Sequence, residues 1–320
     1  MPFLGPVWTW FLYLSTFKPL KYWLWQINHA ILLHFKWSKS TGLDFKKAVL
    51  FMVISTFSFA LMNVSVKYLA RIPTFQIVFF RCFGSLVLAT TFIVVKGIPI
   101  FGNKRRLMLL RAILGLTAMS LYFLSLKHLN VGTAVSLRYI APIFAAIFAV
   151  FLLREKLKNI QWLFFLIAFA GVLVLKGFDG NINTTGLTLI LTASVFSGMV
   201  YVVIRKIGVS DHPAVVVNYF MFVGTIIGGL LAIAVWVRPM GYEWLFLLLL
   251  GVFGFMGQLY MTRAFQIAKT NLVAPLKYIE VIFTISIGVL WFQEAYTIFS
   301  FLGLFMIISA LVLNTLVKKD

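Results

Sequence analysis

Four ionisable residues, Arg81, Arg138, Lys277 and Glu280, stand inside long stretches that otherwise carry no Asp, Glu, Lys or Arg. A charge at the centre of an apolar layer costs about 2.5–3.5 kcal/mol on insertion scales, so such residues face one another or a wet cavity. Arg138 and Lys277 suit an anionic group such as a carboxylate or phosphate. Arg would grip it bidentately and Lys would act as a point charge. Glu280 is the carboxylate placed deepest. Burial and neighbouring cations pull a carboxylate's proton affinity in opposite directions, and that competition would suit a proton-coupling group. The plainer alternative is that Lys277 and Glu280, three residues apart on one helix face, neutralise each other. Arg81 reads as a structural or gating residue that bonds carbonyls or reaches Glu280.

Polar and aromatic residues in the same stretches are candidates to line a solute site: Asn63, Tyr122, Ser136, Tyr139, Ser197, Tyr201, Gln258, Tyr260 and Tyr278. Tyr presents a ring to an apolar part of a ligand and a hydroxyl to a polar part. Ordinary hydrogen bonding between helices competes with that role at every one of these positions. Pro142 and Pro275 share stretches with Arg138 and Lys277, where proline frees backbone carbonyls and loosens a helix. Cys82 is the one cysteine, the histidines sit in the N-terminal tail or near span ends, and no metal-ligand spacing occurs. Neither a metal nor another cofactor is expected.

These residues must be positioned by membrane-spanning helices. Apolar residues make up 62% of the chain and charged residues 11%, well below the roughly 25% charge of a soluble domain. Residues 48–66, 213–237, 244–262 and 295–317 carry no charge, and each is long enough for a span of roughly 20 residues. The pattern predicts ten spans: 47–69, 74–95, 107–126, 131–153, 159–176, 184–204, 213–236, 244–266, 271–292 and 296–317. Counted with the N-terminus inside, 20 cations fall on the cytoplasmic side and five on the outer side. That bias puts both termini in the cytoplasm. The count takes Arg111 to snorkel toward the inner surface. The net charge of +20 is spread over loops, so it excludes the basic face on a soluble domain that nucleic-acid binding needs.

The first 45 residues mix Trp8, Trp10, Trp23, Trp25 and Trp37 with Lys and His, as suits an interfacial or cytoplasmic extension. A short apolar run over 2–17 is interrupted by Pro2, Gly5 and Pro6. It has neither the basic start nor the cleavage site of a signal peptide.

An internal repeat organises the rest. Leu137-Arg138-Tyr139-Ile140 recurs as Leu276-Lys277-Tyr278-Ile279 at an offset of 139 residues. At the same offset Phe144 meets Phe283, Glu155 meets Glu294, Ser58 meets Ser197 and Lys67 meets Lys206. Each half holds five spans. An odd number forces the halves into opposite orientation, an inverted repeat of the kind secondary transporters use. The domains expected are the 1–45 extension, a first repeat over 46–178 and a second over 179–320. Gly224-x-x-x-Gly228 and Gly251-x-x-Gly254-x-x-Gly257 predict close helix packing.

Several local patterns carry a family resemblance. They are Pro73 followed by Arg81, the Tyr139-x-x-Pro142 to Glu155 stretch with its echo from Tyr278 to Glu294, and Gly171-Val172-Leu173-Val174. With the five-plus-five layout over 48–317, the chain resembles the EamA-type branch of the drug/metabolite transporter superfamily. The resemblance implies a ten-helix basket with a central cavity, spans one, three, four, six, eight and nine facing it, and five and ten toward the periphery. The second half departs from the pattern, with Met221 where the first has Arg81 and Val281 where it has Pro142.

The reading that follows is an all-α membrane protein of two inverted five-helix repeats. It moves a small polar organic solute, an amino acid or related anion, across the cytoplasmic membrane by alternating access. A broad exporter of amphipathic compounds and a non-transporting scaffold are the rivals. The partners implied are the solute, the bilayer and, as a candidate, a second copy in a homodimer. An enzyme is excluded by the lack of a catalytic pair or HExxH pattern within the spans.

Overall fold

The computed structural model describes residues 41–69, 71–125, 128–129, 134, 137–176, 183–292 and 298–317. The tail expected to be interfacial, Ser136 and Glu294 lie outside these residues. Ten main helices follow one another: α1 (Thr41–Lys67), α2 (Thr74–Val95), α3 (Arg105–Ser125), α4 (Ala141–Leu153), α5 (Asn159–Lys176), α6 (Thr184–Ile207), α7 (Pro213–Ile233), α8 (Glu243–Ile267), α9 (Ile279–Phe292) and α10 (Ile298–Leu316). Five segments, 44–66, 74–95, 184–210, 213–233 and 243–267, are long and apolar enough to cross a membrane. Large apolar side chains such as Val95, Phe151, Leu230, Ile233 and Phe305 are exposed, as a lipid-facing surface requires.

The helix ends follow backbone chemistry. Pro73 precedes α2, and Gly97 beyond its end takes the left-handed φ of 62° that glycine accepts without strain. Asn183 caps α6 by accepting from Gly186 N. His212 caps α7 by accepting from Ala214 N through Nδ1 at 3.2 Å.

The predicted fourth and ninth spans are interrupted. Among the described residues, the fourth turns at Tyr139 and Ile140, and α4 proper starts at Ala141 with Pro142 in its first turn. The ninth begins as a four-residue helical turn, Thr270–Val273. It tightens to a 3-10 helix over Ala274–Tyr278 containing Pro275, then resumes as α9. The physical reason is shared. Proline lacks the N–H that a continuous ladder needs, so it belongs at a helix start or a break. The two breaks sit at repeat-equivalent positions, 139 residues apart.

Packing crosses the repeat boundary. The principal neighbours of α2 are α7 and α8, that of α3 is α6, and that of α5 is α10. Gly84 of α2 meets Gly251 of α8 so closely that a Cβ built on Gly251 would lie 2.8 Å from Gly84 Cα. Ser85 Oγ donates to Gly251 O at 2.8 Å across the same contact. Gly254 packs on Arg81 and Ser85, Gly257 on Phe59, and Gly224 on Cys82, so both glycine motifs do serve close approach.

Hydrogen bonds between loops and helix ends sort into two faces. On the face where α1 starts, Asp211 accepts from the backbone of Asn103 and of Lys104. Glu155 accepts from Thr270 N at 3.0 Å and Asn271 N at 3.1 Å, with Arg205 Nε 3.7 Å away. Asn271 Nδ2 donates to Lys156 O, and Arg205 Nη1 to Gln266 O. On the opposite face Arg71 grips Glu243 at 2.6 Å, and Gln76 exchanges two bonds with the backbone of Val237. The alternation of faces along the chain makes α1 and α6, the first helices of the two repeats, run in opposite directions.

Two predictions follow from this packing. Gly251→Ala puts a methyl against the backbone of α2, and overpacking of this kind typically costs about 1–3 kcal/mol. A lowered thermal midpoint of the detergent-solubilised protein is expected, and an unchanged midpoint would contradict the contact. Burial and the nearby Arg263 push the His212 pKa from 6.5 down to about 4. The neutral cap's contribution is therefore complete above the ordinary imidazole value and drains away as pH falls through the folded one. The wild-type midpoint should decline between these values, and His212→Asn, a cap that does not titrate, should flatten that part of the profile.

Candidate functional site

The interrupted spans bring their charged residues to one carboxylate. Glu280 lies at the start of α9 and is 1% exposed, with Lys277 Nζ at 2.8 Å from its Oε2. Arg138, just before the break in the fourth span, places Nη2 3.7 Å from Glu280 Oε1. Asn63 on α1 donates to the same oxygen through Nδ2 at 3.2 Å. Three donors from three parts of the chain thus converge on one group. The cations are further held by aromatic faces: Arg138 lies 4.7 Å from the Tyr122 ring centroid and Lys277 4.5 Å from that of Phe59. A cation over a ring gains roughly 2 kcal/mol or more when desolvated.

The two cations differ in what they leave free. Lys277 is almost enclosed, with 10% of its side chain exposed, whereas Arg138 retains 33%. Lys277 is therefore largely committed to Glu280. Arg138 meets the carboxylate at the long edge of ion-pair range and keeps a third of its side chain exposed. Arg138 and Lys277, the cations expected to suit a solute anion, both meet Glu280 in this structure. Breaking one member out of a buried pair of this kind costs about 3–5 kcal/mol.

The other predicted residues divide. Tyr139 and Tyr278, repeat equivalents, stand with ring centroids 6.0 Å apart. They pack against Phe164, Val172 and Ile307 of the α5–α10 pair. The hydroxyl of Tyr278 is buried and has no hydrogen-bond partner among the described residues. Tyr260 does not join the Glu280 group. It packs on Phe51 in the α1–α8 core, and Tyr201 stacks on Phe265 there. Gln258 belongs to a different cluster, accepting at 2.6 Å from Arg111 Nη2. Residues two apart on a helix point to different sides, so Gln258 and Tyr260 serve different neighbours.

Arg111 is the residue that sequence reasoning missed. It was expected to snorkel to the surface, but it is 1% exposed and turned inward, with its guanidinium 4.2 Å from the Phe220 ring centroid. Six residues into α3 is only about 9 Å of helix rise, so either direction was open from spacing alone. Arg81 on α2 points into the same interior and donates to Met119 Sδ at 3.3 Å. It lies within electrostatic range of Arg111, Arg138 and Glu280. No cluster of His, Cys, Asp or Glu able to hold a metal occurs among the described residues.

The chain is similar to known proteins in fold and in sequence. A chain of known crystal structure superposes with a TM-score of 0.78 at 19% identity, covering 85% of this chain and 99% of that one, which shows a shared fold. The pseudopaline exporter of Pseudomonas aeruginosa strain UCBPP-PA14 is 27% identical over 277 residues, 86% of this chain and 98% of its own length. The S-adenosylmethionine uptake transporter of Rickettsia prowazekii strain Madrid E is 27% identical, covering 77% of this chain and 84% of that protein. Human solute carrier family 35 member G1 is 25% identical, covering 77% and 73% respectively. The EamA-like transporter profile matches twice, over residues 46–176 and 184–316. The chain is a multi-pass transporter, not an enzyme, and it belongs to the EamA-like transporter family.

Proposed function

We propose that this transporter moves a small polar organic metabolite bearing an acidic group, an amino acid or a related anion, by alternating access. The observation that carries the reading is the junction of the two interrupted spans. There Arg138, partly exposed beside a Glu280 already occupied by Lys277, offers guanidinium N–H groups to a solute anion. Discontinuous helices at corresponding places in two inverted repeats are where such transporters hold their cargo. The relatives include one named as an exporter and one as an uptake transporter. We place this transporter in the cytoplasmic membrane, where the positive-inside bias supports both termini inside. In that orientation the bonds made by Asp211, Glu155 and Arg205 lie on the cytoplasmic face and hold the repeats together there. They support a conformation closed to the cytoplasm. Tyr122, Tyr139, Tyr278 and Asn63 shape the binding region. Pro142 and Pro275 fix the breaks that expose it.

Arg138→Ala in proteoliposomes should lower solute uptake about 10–100-fold, the scale of a lost charge-assisted hydrogen bond of about 1.5–3 kcal/mol. Retained uptake in this variant would remove the anion site and favour a broad exporter of amphipathic compounds. If Glu280 couples protons, Glu280→Gln abolishes dependence on an imposed pH gradient. Unchanged dependence would leave Glu280 with the neutralisation of Lys277 alone. The wild type reconstituted by itself must move solute, since a scaffold subunit would move none.

A further inference from the structure

The interior holds more positive charge than its acids can balance. Arg81, Arg111, Arg138 and Lys277 are four cations, and Glu280 is the carboxylate among them. The remaining acids among the described residues are placed elsewhere. Glu155 serves the backbone of Thr270 and Asn271, Asp211 that of Asn103 and Lys104, Glu243 pairs with Arg71, and Asp44 lies at the start of α1. Arg81 and Arg111 therefore have no carboxylate partner among the described residues.

Their donors show the same deficit. Arg111 has five N–H bonds to satisfy. One nitrogen, Nη2, donates to Gln258, while Nε and Nη1 are buried without a partner among the described residues. The Nε of Arg81 is buried in the same condition, and its Nη1 has only the thioether of Met119. Phe220 covers one face of the Arg111 guanidinium, and Gly254 lets Arg81 lie close against α8. A merely structural arginine would be expected to spend its fork on carbonyls or an acid. Two guanidiniums that lie against α8 one turn apart, at Gly254 and Gln258, both short of acceptors, are instead suited to sharing an oxyanion.

We propose that Arg81 and Arg111, oriented by Gln258, form a second anion subsite for a carboxylate or phosphate of the transported solute, separate from the one at Arg138. This rests on the transport reading above and narrows its substrate class to compounds with at least two acidic groups. One group meets Arg138, and the other reaches between α2 and α3.

The test uses the full-length protein in nanodiscs, with inorganic phosphate or citrate as the probe against chloride at equal ionic strength. Thermal unfolding is the readout. Wild type should gain several degrees in either anion, because a ligand that binds only the folded state raises its midpoint. Arg111→Met and Arg81→Met should each lose at least about tenfold in apparent anion affinity, about 1.4 kcal/mol. Both should stay folded in chloride, since an apolar chain of similar size removes a buried charge whose desolvation is costly and that no acid among the described residues neutralises. Arg111→Lys, which keeps the charge but not the fork, should retain part of the gain and covers the case in which a Met variant fails to fold. Arg138→Ala should keep most of the gain in phosphate, which fills the second subsite alone, and lose part of the gain in citrate, which spans both. No gain in wild type for either anion, or a gain that survives both Met variants, overturns the proposal. A gain lost in Arg138→Ala and kept in Arg111→Met also overturns it, while leaving the Arg138 reading intact.

Discussion

The convergence of Lys277, Arg138 and Asn63 on Glu280 is the interaction on which the interior depends. Each cation alone would be costly at this depth, and one carboxylate makes the arrangement tolerable. It also fixes geometry. Lys277 and Glu280 come from the broken ninth span, Arg138 from the broken fourth and Asn63 from α1. The carboxylate meets all three where both breaks occur and α1 packs alongside. The helix interruptions and the charges therefore explain each other.

Negative charge is scarce in this chain, with eight acidic residues against 28 cations. Its use is correspondingly selective. Glu155 of the first repeat reaches the backbone at Thr270 of the second, Asp211 of the second reaches Asn103 of the first, Glu243 reaches Arg71, and Glu280 reaches Arg138. Each of these contacts crosses between repeats. The helices would pack in lipid through small residues and dispersion alone. The carboxylates add directional contacts that set how one repeat is turned against the other.

Much of the fold was legible because its punctuation is chemical. The ends of α2 fell where Pro73 and Gly97 require them, and α5 matched residue for residue. The repeat was visible in Leu137-Arg138-Tyr139-Ile140 and its echo. The breaks were less legible: an apolar run reads as one span whether or not its middle is helical, and only the prolines hinted otherwise. The candidate site was partly legible. The residues of the Glu280 cluster all stood out as polar groups in apolar runs, and the neutralising contact between Lys277 and Glu280 followed from their spacing of three. Arg111 did not stand out, because the direction of a long side chain near a helix end is decided by distant partners. Its own, Gln258, is 147 residues away.

The cross-repeat pairing of helices also bears on how the chain is made. A ribosome delivers α1 to α5 into the bilayer before any of α6 to α10 exists. Yet α2 finds its main neighbours in α7 and α8, α3 in α6, and α5 in α10. The early helices must wait in lipid without their lasting companions, and α2 waits longest because α8 follows it by six helices. The first repeat therefore cannot complete its packing before the second repeat is made. A chain cut short before α10 would leave the flank of the first repeat bare.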